Sequence, residues 1–473
     1  MNIKTIVNIF IVFTVLQAYA QEQLYTSLSI PDKLIKNANA VVRLNDLNIS
    51  VQSQKKVLIQ EKRIITVLNE KGNKYVQAGS GYHDYLKIKK IEATVFDENG
   101  KEIKKIKKKD FIDHSAVDGG TLYSDSRVLF MGYTPVKYPY TVSFYCEVET
   151  ANTASVPTWR PINDYFLSVE KDNYVLNDLA NLGLRFKEKN LNGFDIEKSS
   201  SSTSLNYSIK NVEAIKPEDL SPSFNVFAPQ VMVALEKFHY DGVDGQAKNW
   251  AEFGKWINNS LLEGRNRISD QTKQQVLDLV QGIEDPIEKA KKIYNYVQNN
   301  TRYISVQVGI GGIQPIDAIE VDELKYGDCK GLTNYTQALL NVVGVQSYYT
   351  VVEAGREIVD FDKDFATLEQ GNHIILGIPN QNRMLWLDCT SQIHPFGLIG
   401  DFTDDRSVLI IKKEGGEIVK TTKYTDEDNY QLTTAKINLN NDASIDSKII
   451  IKTGGIQYDN RCLLYTSPSP RDA

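Results

Sequence analysis

A chain of 473 residues is too long for one ordinary domain, and 41% hydrophobic with 24% charged residues excludes a disordered or low-complexity chain. A formal net charge of −6 excludes nucleic acid as the main partner, which would call for a basic face. Four scattered cysteines (Cys146, Cys329, Cys389 and Cys462) set no disulfide framework and leave room for a working thiol.

The first twenty residues read as a secretory signal peptide (1–20). Lys4 supplies the positive start, Ile6 to Leu16 the apolar core, and Ala18-Tyr19-Ala20 the small residues before a cut at Gln21. No later run approaches the roughly 18 apolar residues of a membrane helix. The expected product is therefore exported, to the periplasm, the cell surface or the medium, with no membrane span after signal cleavage.

Residues 21–225 are predicted to be β-rich. Val57-Leu58-Ile59, Ile64 to Leu68, Ile91 to Phe96 and Tyr140 to Val148 are β-branched or aromatic runs, broken by turn signals such as Asn99-Gly100 and Asp118-Gly119-Gly120. They suggest an antiparallel, sandwich-like domain. The basic run Lys101 to Lys109 alternates with Ile103 and Ile106, the pattern of a solvated edge strand. Residues 226–268 read as a helical connector, with Trp250, Phe253 and Trp256 three apart as a packing stripe.

Residues 269–415 carry an α+β pattern. Ser269 to Gly282 reads as one helix. Asp285-Pro286-Ile287-Glu288 opens a second, with a cap, a proline at the first helical position and an acid following. A strand at Arg302 to Val308 precedes the glycine-rich turn Gly309 to Gly312. Leu332, Tyr335, Leu339 and Val342 then recur at helical spacing, so a helix starts near Cys329, and Gly344 is placed to end it. Strands are expected at Val345 to Val352, His373 to Ile378, Met384 to Thr390 and Val408 to Lys412. Residues 416–460, with a hairpin over Ala435 to Lys452, look like an incomplete C-terminal β domain. The Ser/Pro-rich stretch 461–473 has no pattern and reads as a foreign or disordered tail.

Chemistry concentrates on Cys329. A helix N-terminus lowers a thiol's pKa through its unpaired N–H groups and dipole, and Asp328 stands ready as the cap. A cysteine nucleophile needs an imidazole base, and the base an orienting group. Only His373 and His394 follow Cys329. If Pro379 to Asn382 is a symmetric hairpin loop, His373 lies directly opposite Asp388 on one face, with Cβ atoms about 4.5–5.5 Å apart. Cys389 then points the other way, into the core. That opposition counts against a zinc site of Cys329, His373, Asp388 and Cys389. His394, before Pro395, reads as a loop residue.

The order Cys329, His373, Asp388, with the stretches Arg302 to Gly309, Gly327-Asp328-Cys329-Lys330, Asn372-His373 and Trp386 to Gln392, resembles the secreted bacterial members of the transglutaminase-like superfamily. One departure is Ile313, where the family's glycine-rich stretch carries an aromatic residue. The resemblance implies a papain-like core behind a β-rich domain of unknown function, needing no cofactor and no metal. It also implies that Cys329 attacks an amide carbonyl of a protein or peptide substrate, cell-envelope material being one candidate, while His373 shuttles the proton and Asp388 orients the imidazole. Hydrolysis is expected over transamidation because water is always present. The competing reading is a non-catalytic cell-envelope binding protein that keeps the fold.

Overall fold

The computed structural model describes residues 23–117, 121–459 and 461. The signal peptide reading therefore lies outside the described residues, as do Asp118-Gly119-Gly120 and, apart from Arg461, the Ser/Pro-rich tail. Two compact units part between Gln246 and Ala247.

The N-terminal unit is built on an eight-stranded sheet. Its strands are β1 (Ala40–Ser53), β2 (Lys56–Val67), β3 (Leu86–Phe96), β4 (Glu102–Lys107), β5 (Tyr140–Thr150), β6 (Leu167–Asp178), β7 (Ile196–Ser200) and β8 (Ser204–Val212), in the order β7-β8-β6-β1-β2-β5-β3-β4. The basic run is the edge strand β4: Ile106 is buried while Ile103 and the lysines around it face water. The sheet is not wholly antiparallel, because β1 and β6 pair in parallel, Ala40 beside Leu167 through Val51 beside Asp178. A smaller pair, Leu184–Lys189 with Gln230–Leu235, shares a core with it: Val231, Val233 and Leu235 pack with Ile49, Tyr174 and Leu205. The connector expectation is corrected here. Residues 230–246 are three strands of this unit, and Gln230–Leu235 is buried at every position, so it lacks the alternation that marks a half-exposed strand.

The second unit begins with α1 (Trp250–Ile257), whose three aromatics are buried, Trp250 stacking on Phe361 with ring centroids 5.4 Å apart. Then come α2 (Asp270–Leu279) and α3 (Pro286–Asn300), the latter capped by Asp285, which accepts from the Ile287 N–H at 2.9 Å. The central helix is α4 (Cys329–Val342), and Gly344 follows it at φ +75°, a left-handed conformation that favours glycine. Leu332, Tyr335 and Leu339 pack with Ala290, Tyr294 and Val297 of α3 and with Leu376, Ile378 and Leu387 of the sheet. That antiparallel sheet has β9 (Tyr348–Val352), β10 (His373–Asn380), β11 (Arg383–Leu387), β12 (Ser407–Ile411) and β13 (Gly416–Lys420), in the order β11-β10-β9-β12-β13.

The boundary placed at 415/416 is thus corrected, since β13 belongs to the core sheet. Gly415-Gly416 looks like a linker but is a close approach. A Cβ on Gly416 would lie 2.4 Å from the Trp250 carbonyl oxygen of α1. The expected C-terminal hairpin is present as β14 (Gln431–Leu439) and β15 (Ile445–Thr453).

Candidate active site

Cys329 is the first residue of α4. Asp328 caps the helix, its Oδ1 accepting the Gly331 N–H at 2.9 Å, so the chain enters the helix in a fixed direction. The first N–H groups of a helix have no partner within it, and Cys329 is the residue that opens this one. Cys329 is 7% exposed. The neighbouring Lys330 is buried too, and its Nζ contacts Asp328 Oδ2.

His373 opens β10, opposite Val352 of β9. Its Nε2 lies 3.1 Å from Asp388 Oδ2, and the Cys329 thiol is near enough to favour charge on the same imidazole. With Nε2 engaged by the carboxylate, Nδ1 is the nitrogen left for sulfur. Asp388 thus contacts His373 directly, and the charge of Cys329 acts on the same imidazole. His394 is not among them: its Nε2 lies 2.7 Å from Asp459 Oδ1.

The register of the β10–β11 hairpin differs from the symmetric-loop expectation. The turn is the two residues Gln381-Asn382, closed by Asn380 opposite Arg383, and the pairing runs to Leu376 opposite Leu387. Continued one residue, it sets Asp388 beside Ile375, one diagonal step from His373 rather than facing it. The displacement is two residues, and side chains alternate with a period of two, so both residues stay on the same face. A diagonal pair is within reach of long side chains.

Electrostatics follow from burial and pairing. Burial opposes charge on the His373 imidazole, but the Asp388 carboxylate and then the thiol contact outweigh it and raise the pKa to about 10. Burial likewise opposes charge on Asp388. The imidazole and two bonds from Thr390 overcome it and hold the carboxyl well below its usual range. Those bonds come from the Thr390 N–H at 2.9 Å and hydroxyl at 2.6 Å, both to Asp388 Oδ1. Cys389 turns into the core between α3, α4 and the sheet, where burial pushes its thiol up to about 12, so it is an inert packing residue.

Several supporting residues escaped the sequence reading. Tyr294 of α3 donates its hydroxyl to the Asp388 carbonyl at 3.0 Å. Gln298, one turn on, donates to the carbonyls of Ser391 at 2.9 Å and His394 at 3.0 Å, tying down the loop after Asp388. Phe402 sets its ring edge-on to His373, centroids 5.8 Å apart. Only Thr390 left a local signal: Asp-x-Thr is the pattern of an Asx turn.

Among known proteins, residues 273–376 match the transglutaminase-like superfamily and residues 55–216 match a domain of unknown function, DUF3857. A proposed protease from Parabacteroides distasonis has the same fold at 14% identity, with a TM-score of 0.59 over 81% of this chain and 72% of its own. A proposed cysteine protease from Cytophaga hutchinsonii aligns over 84% of this chain and 90% of its own at 10% identity, but a TM-score of 0.22 supports no inference. No curated protein matches the chain. Among the described residues no helix is long and apolar enough to cross a membrane. The chain thus combines a region, 55–216, that matches DUF3857 with a region, 273–376, that matches the transglutaminase-like superfamily.

Proposed function

We propose that this chain is an exported cysteine enzyme that cleaves peptide or amide bonds through an acyl-thioester, with Cys329 as nucleophile, His373 as general base and acid, and Asp388 as the orienting carboxylate. The observation that carries this reading is the 3.1 Å contact of Asp388 with His373, an imidazole that also feels the thiol at the helix N-terminus. The protease proposed for the Parabacteroides protein is in keeping with it.

In this reading Cys329 Sγ, its proton passed to His373, attacks the substrate carbonyl carbon. The oxyanion that forms lies by the Cys329 N–H, a donor that its place at the start of α4 leaves without an intrahelical partner. The C–N bond breaks as the imidazolium returns the proton to the departing amine. Water then attacks the thioester carbon, His373 takes the water's proton and returns it to Sγ as the C–S bond breaks, and the carboxylic acid is released. Asp388 keeps the imidazole in place throughout, and Thr390 keeps Asp388 in place.

Casein incubated with the protein and a labelled primary amine tests both the activity and the acceptor. The expected result is cleavage without label, lost in Cys329→Ala. Label incorporated without cleavage would overturn hydrolysis in favour of transamidation. Cleavage surviving in Cys329→Ala would overturn the nucleophile.

A further inference from the structure

Lys330 is out of place by ordinary rules. It is the second residue of α4, at the positive end of the helix dipole, where a cation is disfavoured. It is only 4% exposed, and burying an ammonium is costly even when it is paired. An apolar side chain of similar length would serve α4 better on both counts, so packing does not explain it.

Its partner explains it. Asp328 caps α4 and so fixes where the helix, and with it Cys329, begins. The same cap sets a buried carboxylate directly before the residue that must carry negative charge, first on sulfur and then on the adjacent oxyanion. Asp328 is 6% exposed, so water screens that repulsion poorly. The two carboxylate oxygens divide the work: Oδ1 takes the Gly331 N–H and Oδ2 takes the Lys330 ammonium. The ammonium stays charged there, because the Asp328 and Cys329 charges outweigh its burial.

We infer that Lys330 is a positioning residue for the nucleophile, whose buried ammonium cancels the charge of the Asp328 cap so that a carboxylate can start the helix without repelling negative charge on Cys329. This inference rests on the reading of Cys329 as nucleophile. It concerns how the site tolerates its own cap, and it gives Lys330 no contact with substrate.

The test is the rate of Cys329 alkylation by iodoacetamide as a function of pH in the full chain, read by peptide mass mapping for wild type, Lys330→Met and Asp328→Asn/Lys330→Met. Asparagine caps helices as well as aspartate does, so the double variant keeps the helix start and removes both charges. The expected result is that Lys330→Met alkylates about tenfold more slowly near neutral pH, with its profile displaced to higher pH, and that the double variant returns to within about threefold of wild type. A Lys330→Met profile that superimposes on wild type would overturn the inference, as would a double variant no faster than Lys330→Met. Should Lys330→Met fail to fold, the double variant against wild type still decides it: a double variant slowed tenfold contradicts charge cancellation. The nucleophile reading is judged separately, by wild type against a free thiol such as glutathione.

Discussion

At Asp388 a single carboxylate meets three demands through its two oxygens, and the consequences are specific. Oδ2 holds the imidazole, while Oδ1 is held by the Thr390 N–H and hydroxyl. Asp388→Asn removes the charge that raises His373 and leaves burial, which lowers it. The alkaline limb of the pH–rate profile should therefore move to lower pH, with kcat/KM down by about 10²–10⁴-fold. Thr390→Val keeps the shape and deletes one bond to a charged group, so urea unfolding should report a loss of about 1.5–3 kcal/mol. The imidazole also links stability to pH. Its pKa is higher folded than unfolded, so its contribution is complete below the ordinary value of 6.5 and is lost as pH rises through about 10. In His373→Ala the stability decline across that window should flatten, and a variant that kept wild type's slope there would contradict the assignment.

Among the elements, α4 and the β10–β11 hairpin do the positioning. Gly344→Ala forces a Cβ into a left-handed conformation at φ +75°, which should cost about 1–2 kcal/mol in urea unfolding. Tyr294→Phe loses the hydroxyl that ties α3 to the Asp388 carbonyl and should cost about 1 kcal/mol in the same measurement. The helices were legible in the sequence because their signals are local. Leu332, Tyr335 and Leu339 repeat at helical spacing, Asp285-Pro286 begins one helix and Gly344 ends another. The hairpin was legible only in part. That His373 and Asp388 share a face depends on parity and survived, whereas their offset depends on turn length, which Pro379-Asn380-Gln381-Asn382 does not announce. The contact of Lys330 with Asp328 was illegible for another reason: neighbours in a chain show no sign of which way their side chains turn.

For the molecule as a whole, the β-rich N-terminal unit and the α+β second unit emerge from composition and turn spacing, while their joins do not. Gln230–Leu235 is buried throughout and so carries no strand alternation. Gly415-Gly416 reads as a break because nothing local reveals the helix that presses on it. The parallel pairing of β1 with β6 is a long-range contact with no local mark. The candidate site was more legible than the fold around it, because a nucleophile, a base and an orienting acid are few in kind, and only two of five histidines follow Cys329. Under the proposed function the Cys329 thiol is activated by the His373 imidazole. That activation is tested most directly by the rate at which iodoacetamide labels Cys329 at pH 6, compared with glutathione under the same conditions. We predict labelling of Cys329 well above the glutathione rate, with Cys146 and Cys389, whose thiol pKa values burial raises, unmodified. A Cys329 that reacts no faster than glutathione would contradict the account.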